Sequence, residues 1–169
     1  MRARSRVRES TVVRTAPPEG AVRTREDRTI SQALRILEQR LVGAGVLLNE
    51  VATCGAFFQL RLGSEEREHF EVAFLNAQHQ LIAVERLFSG TVDGAEVHPR
   101  IVAQRALALN ASAVLVAHNH PSGRSEPSAL DRALTTRLKS ALGLVAVRLL
   151  DHFVVTTREA TSMAARGWV

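Results

Sequence analysis

The chain has one cysteine, one lysine and no apolar run long enough to cross a membrane. A single cysteine, Cys54, excludes an internal disulfide, a cysteine-based zinc finger and the P-C-x-x-C signature of zinc deaminases. No activating base stands near Cys54 in sequence, so it reads as a buried, inert thiol. The N-terminus is rich in arginine, but no apolar stretch follows it. A secretory signal is therefore not expected, and a cytoplasmic location is. With Lys139 the only lysine, nearly every basic residue is an arginine, a bias that carries little functional information.

What is present suits one globular domain: 169 residues, 46% of them hydrophobic. The net charge of +5 is unevenly spread. Residues 1–28 hold eight arginines and four acidic residues, with few large apolar side chains and no periodicity. They read as a disordered tail. Such a tail can meet nucleic-acid phosphates, although a solubilising role is the simpler one. Residues 29–63 read as a helical lead-in and residues 64–169 as the functional domain.

The most informative run is His118-Asn119-His120-Pro121, followed by Ser128 and Asp131. Residues 113–118 form a short apolar segment expected to be a buried strand. On a strand, residues two apart share a face, so His118 and His120 can converge on one ion while Asn119 points away. Pro121, Gly123 and Pro127 mark a loop. A helix is expected from Ser128, with Leu130, Leu134, Leu138 and Leu142 along one face. Asp131 then falls in its first turn, beside the histidines. Two imidazoles and a carboxylate leaving one open position are the donor set of a catalytic zinc site, and they point to metal-assisted hydrolysis. Ser128 and Asp131 also fit a capping-box helix start on their own.

The remaining pattern is α/β. Ile30–Leu41 and Asn49–Leu62 read as helices, the second weakened by Gly55. Glu68–Leu75 and Gln80–Phe88 read as a hairpin turning at 76–78. Loop signals fall at 89–91 and 93–94. Pro99 suits the first turn of a helix running to about Asn110. Strands are expected at Val145–Leu150 and His152–Val155, and a short terminal helix at 158–166. His152 reads as structural or as a partner of a metal ligand. His98-Pro99-Arg100 reads as a helix start with Arg100 a candidate substrate contact. His69 and His79 read as surface residues, and Trp168 as a packing anchor.

Through His118, His120, Pro121, Ser128 and Asp131 the chain resembles the JAMM (MPN+) metalloprotease superfamily. It is similar more closely to the RadC family, in HNHPSG (118–123), EPS..D (126–131), LLDH (149–152), SGT (89–91) and VHPR (97–100). The likeness spans roughly residues 65–169. It departs in lacking a clear helix-hairpin-helix region and in having Ile101 where the family commonly has glutamate. The resemblance implies a curved mixed sheet flanked by helices, with cytidine-deaminase-like layering. It also implies an upstream glutamate that serves the activated water. Glu68, opening Glu68-His69-Phe70, fits that role, with Glu71 and Glu85 as rivals.

The mechanism implied has zinc on His118, His120 and Asp131, Glu68 shuttling a proton from water to the leaving nitrogen, and Ser128 Oγ donating to the oxyanion. The implied substrate is a peptide or isopeptide amide in a protein or peptide partner. The competing expectations are a DNA-repair or mobile-element accessory protein and a metal-free interaction module. The letters His-Asn-His do not indicate an HNH nuclease, whose motif residues are spread along a longer stretch.

Overall fold

The computed structural model describes residues 25–30, 32, 33, 36, 48, 50–90 and 96–169. Residues 25–30 are helical and exposed. The rest of the arginine-rich segment, most of the expected Ile30–Leu41 helix and the loop signals at 91–94 lie outside the described residues.

A five-stranded mixed sheet organises the molecule. β1 (His69–Leu75) and β2 (Leu81–Ser89) form the expected hairpin, β3 (Ala113–Asn119) follows, and β4 (Arg148–Val155) and β5 (Ala160–Ser162) complete the order β2-β1-β3-β4-β5. Only β3 and β4 are parallel. The neighbouring strands β1 and β3 are buried almost throughout, which is why β3 reads as a continuous apolar run up to His118, whereas β1 carries the buried Glu71. Asn76 closes the hairpin: its Oδ1 accepts from the backbone N–H of Gln78 and Gln80 at 3.0 and 2.9 Å.

Helices cover both faces. α1 (Val51–Leu62) packs Phe57, Phe58 and Leu62 onto Ala73, Leu75, Leu115 and Phe153. Gly55 lets α1 approach closely here: an added Cβ would stand 3.3 Å from Cβ of Ala160, a tight contact that needs a shift of a few tenths of an ångström, and 3.7 Å from the Phe153 ring. On the other face, α2 (Pro99–Ala108) and α3 (Ala129–Gly143) pack Val102, Ala106, Leu138 and Leu142 onto Phe70, Val72, Val114 and Val116. α3 is the crossover between the parallel strands β3 and β4. It therefore begins beside the C-terminal end of β3, where His118 lies.

Three expectations are corrected. The stripe expected on α3 does not run along one face: Leu138 and Leu142 are buried, but Leu130 is 81% exposed. A four-residue step overshoots the turn by about 40°, so Leu130 lies about 80° round the helix from Leu138. The inward positions of the first turns are Asp131 and Thr135. Secondly, the two strands expected at 145–150 and 152–155 are one, β4, starting at Arg148 after a turn in which Ala146 is left-handed (φ 58°). The polar pair Asp151-His152 suggested a break. Both are buried within the strand, and a register irregularity opposite Val114 and Leu115 accommodates them. Thirdly, residues 158–166 form β5 and a short 3-10 turn (Ala164–Arg166) instead of a helix. The Asp151 carboxylate shapes this segment by accepting from Ser162 Oγ at 2.5 Å and from the Ala164 N–H at 2.9 Å.

Candidate metal centre

β3 and α3 bring His118, His120 and Asp131 together, and each offers one atom to a group spanning no more than 4.8 Å. The Nε2 atoms of the two histidines are 3.0 Å apart. His118 Nε2 is 3.1 Å from Asp131 Oδ1, and His120 Nε2 is 3.6 Å from Asp131 Oδ2. Ligands about 2.0–2.1 Å from a tetrahedral zinc stand roughly 3.3 Å apart, so the spacing of the two imidazole nitrogens from each other and from the Asp131 carboxylate is of the order such an ion needs.

The proton inventory sharpens the fit. His120 Nδ1 donates to the Arg124 carbonyl at 2.7 Å, which leaves the Nε2 lone pair facing inward. Thr135 Oγ1 donates to the Asp131 carbonyl at 2.7 Å, so it accepts from His152 Nδ1, also at 2.7 Å. The remaining nitrogen of His152 then accepts from His118 Nδ1 at 2.8 Å. His118 is left with its lone pair on Nε2 as well. This assignment follows from the hydrogen-bond partners, since one neutral imidazole carries one proton. With both imidazoles neutral, two lone pairs and a carboxylate converge with no donor among them, so the group favours a cation between them, either a proton on an imidazole or a metal ion.

The electrostatics agree. Complete burial, and then the neighbouring His118, push His152 well below the usual histidine range, so it stays neutral in the relay. The hydrogen bond to Asp131 pulls His120 above its ordinary value against the effect of burial, helped by the Arg124 carbonyl and the charges of Asp131 and Glu68. Burial opposes charge on Asp131, but hydrogen bonds from His118, His120 and Ser128 outweigh it and hold the carboxyl well below the usual range.

Ser128 is the N-cap of α3 in a full capping box. Its Oγ accepts from the Asp131 N–H at 3.2 Å, and its own N–H donates to Asp131 Oδ2 at 2.6 Å. Capping uses an Oγ lone pair and does not spend the hydroxyl proton, which stands beside the Asp131 carboxylate.

The group opens into a cleft of about 750 Å³ lined by Glu68, Phe70, His98, Ser128, Leu130 and Arg137 as well as the three donors. Of the three candidate glutamates, only Glu68 lines it. Glu71 is buried on the other face of β1, held by Arg61 at 2.5 Å and Arg86 at 3.2 Å. Glu85 is taken by Arg105 at 2.6 Å. His98 stands on the cleft wall at the N-cap of α2. Arg100 and Ile101 are exposed on the first turn of α2, outside the cleft lining. His69 is half-buried between Ser89 and Glu65, and His79, also half-buried, accepts from Arg148 at 2.8 Å. The guanidinium groups of Arg132 and Arg166 stand over the Trp168 ring, at 4.9 and 5.4 Å from its centre. Cys54 is buried on the core-facing side of α1, where burial and then the Asp151 charge push its thiol up to about 11. No described helix is long and apolar enough to cross a membrane.

Sequence reasoning did not single out Thr135 or the Arg124 carbonyl. Thr135 follows Asp131 by four residues, so it stands on the same helix face one turn on, a spacing that could have flagged it.

The comparisons with known proteins agree with this architecture. The RadC-like JAB domain profile matches residues 48–168. A UPF0758 protein of Xanthomonas campestris pv. campestris (strain 8004) is 49% identical over 143 residues, covering 83% of this chain and 64% of that protein. One from Xylella fastidiosa (strain 9a5c) is 47% identical over the same shares. The chain thus spans less than two thirds of the length of the curated relatives it matches. With the profile covering most of the chain and relatives near half identity, the chain belongs to the RadC-like JAB domain family.

Proposed function

We propose that the chain is a zinc-dependent hydrolase of the JAMM type that cleaves a peptide or isopeptide amide. The observation that carries this reading is the convergence of three outward-facing donors, His118 Nε2, His120 Nε2 and an Asp131 carboxylate oxygen, on a cleft that Glu68 and Ser128 also line. A zinc ion held by these three side chains supplies Lewis acidity, lowering the pKa of water and polarising the amide carbonyl. Glu68 takes the proton of the attacking water as the C–O bond forms. It returns that proton to the amide nitrogen as the C–N bond breaks, giving a carboxylic acid and an amine. Ser128 donates its hydroxyl proton to the oxyanion while its lone pair keeps capping α3. Two imidazoles with a carboxylate favour zinc over harder, oxygen-seeking ions.

The test is hydrolysis of quenched fluorescent peptides and of isopeptide-linked lysine conjugates at saturating zinc. Wild type is expected to cleave a subset. Glu68→Gln, still carrying one zinc, is expected to be slower by about 10²–10⁴-fold, the usual worth of a general base. A Glu68→Gln protein that cleaves as fast as wild type removes Glu68 from the role. A zinc-loaded wild type that cleaves neither class contradicts the amide-hydrolase reading.

A further inference from the structure

Asn119, the middle residue of His118-Asn119-His120, sends its side chain to the opposite face of β3 from the metal group. That side chain is only 2% exposed. A buried carboxamide must find partners, and Asn119 finds all of them on one short segment. Its Oδ1 accepts from the His69 N–H at 2.8 Å. Its Nδ2 donates to the Arg67 carbonyl at 2.9 Å and to the Glu65 carbonyl at 3.2 Å. These bonds bracket Glu68 on both sides. Residues 63–68 are turn, bend and coil, with no sheet ladder to fix their course, and β1 begins only at His69. The Glu68 carbonyl adds one more tie, accepting from the Gly90 N–H at 2.8 Å.

We propose that Asn119 is the positioning residue for Glu68: its carboxamide fixes the backbone around Glu68 so that the carboxylate stands in the cleft beside His118, His120 and Asp131. The physical advantage is rigidity. Adjacent residues of one buried strand carry a metal donor on one face and the clamp for the glutamate on the other. The distance between donor and carboxylate is then set by a single stretch of β3, with no flexible loop in between. Glutamine could not replace the clamp, because one extra methylene displaces all three bonds at once. The inference rests on the reading of Glu68 as the residue serving the reaction.

A double-mutant cycle on zinc affinity tests it without a substrate, using competition with a chromophoric chelator. A carboxylate in the cleft favours a cation there, so Glu68→Gln is expected to weaken zinc binding by about 3- to 10-fold. Asn119→Ala is expected to weaken it by a similar factor and to speed hydrogen exchange at the His69 amide. If Asn119 acts through Glu68, the double variant binds no more weakly than the worse single one. Losses that multiply, or an Asn119→Ala protein with wild-type affinity, overturn the proposal. So does a loss with Asn119→Ala beside none with Glu68→Gln, because Asn119 then acts on the donors directly. Should Asn119→Ala fail to fold, Asn119→Ser goes through the same cycle with the same criteria. Turnover of Glu68→Gln is read separately, so failure of the glutamate's role in hydrolysis is distinguishable from failure of the clamp.

Discussion

His152 Nε2 lies 2.8 Å from Nδ1 of His118, a residue 34 positions earlier on the neighbouring parallel strand, and both rings are buried. This contact decides which nitrogen of His118 carries the proton. His152 in turn is held by Thr135, whose hydroxyl donates to the carbonyl of Asp131. The relay therefore starts and ends on members of the candidate metal group.

Breaking the relay should loosen the ion without removing a ligand. His152→Phe keeps an aromatic ring against Phe70, at the cost of a slightly larger side chain, but leaves His118 Nδ1 with no acceptor. Zinc affinity is expected to fall by about 10–100-fold, the usual effect of losing such a partner. Thr135→Val should act in the same direction with a smaller loss. Chelator competition measures both, and an unchanged affinity in His152→Phe contradicts the proton assignment.

Zinc binding should release a proton near neutral pH. His120 is held above its ordinary value, first by Asp131, so the metal-free group carries that proton at pH values where a free histidine does not. The sign is definite. The raised pKa stabilises the metal-free fold below the unfolded value near 6.5, and that contribution is lost as pH rises through the folded value. The ion competes with the same proton, so affinity should climb with pH over that window. Titration calorimetry in two buffers of different ionisation heat counts the protons. A count of zero at pH 7 contradicts this account.

Ser128 separates two roles by choice of substitution. Ser128→Ala removes both cap and hydroxyl and should cost about 1 kcal/mol of stability. Ser128→Gly keeps most of the capping and should cost only a few tenths. Both should lower turnover by about 10²–10³-fold if the hydroxyl serves the oxyanion. A Ser128→Gly protein with full turnover leaves Ser128 with its capping role alone.

Cys54 should resist alkylation by iodoacetamide at pH 8 until the protein unfolds. Its thiol is buried and raised to about 11, so little thiolate forms. A raised folded value also means that stability is intact below the unfolded thiol's pKa and declines as pH rises from there toward 11. Rapid labelling of the folded protein would contradict this burial.

The sequence was most legible where local pattern and chemistry coincide. The apolar run before His118, the i, i+2 spacing of the histidines and the Ser128–Asp131 helix start are all short-range signals, and β3, the donor group and the capping box follow them. The reading failed where tertiary contacts override the pattern. Asp151 and His152 look like a strand break until Ser162, Thr135 and His118 are available to satisfy them. Leu130 looks like core until the drift of a four-residue step is counted. The E-x-F pattern and strand alternation already favoured Glu68 over Glu71 and Glu85; the arginines that hold the two rivals, Arg61, Arg86 and Arg105, left no trace in any spacing. The clamp of Asn119 joins residues about 50 positions apart and left no local trace.

The central claim is that His118, His120 and Asp131 hold one metal ion. Metal content per chain should be measured in purified wild type and in the His118→Ala/His120→Ala double variant, each after supplying zinc and removing the excess. The account predicts about one zinc per wild-type chain and none in the variant. No metal in wild type, or the same content in both proteins, would contradict it.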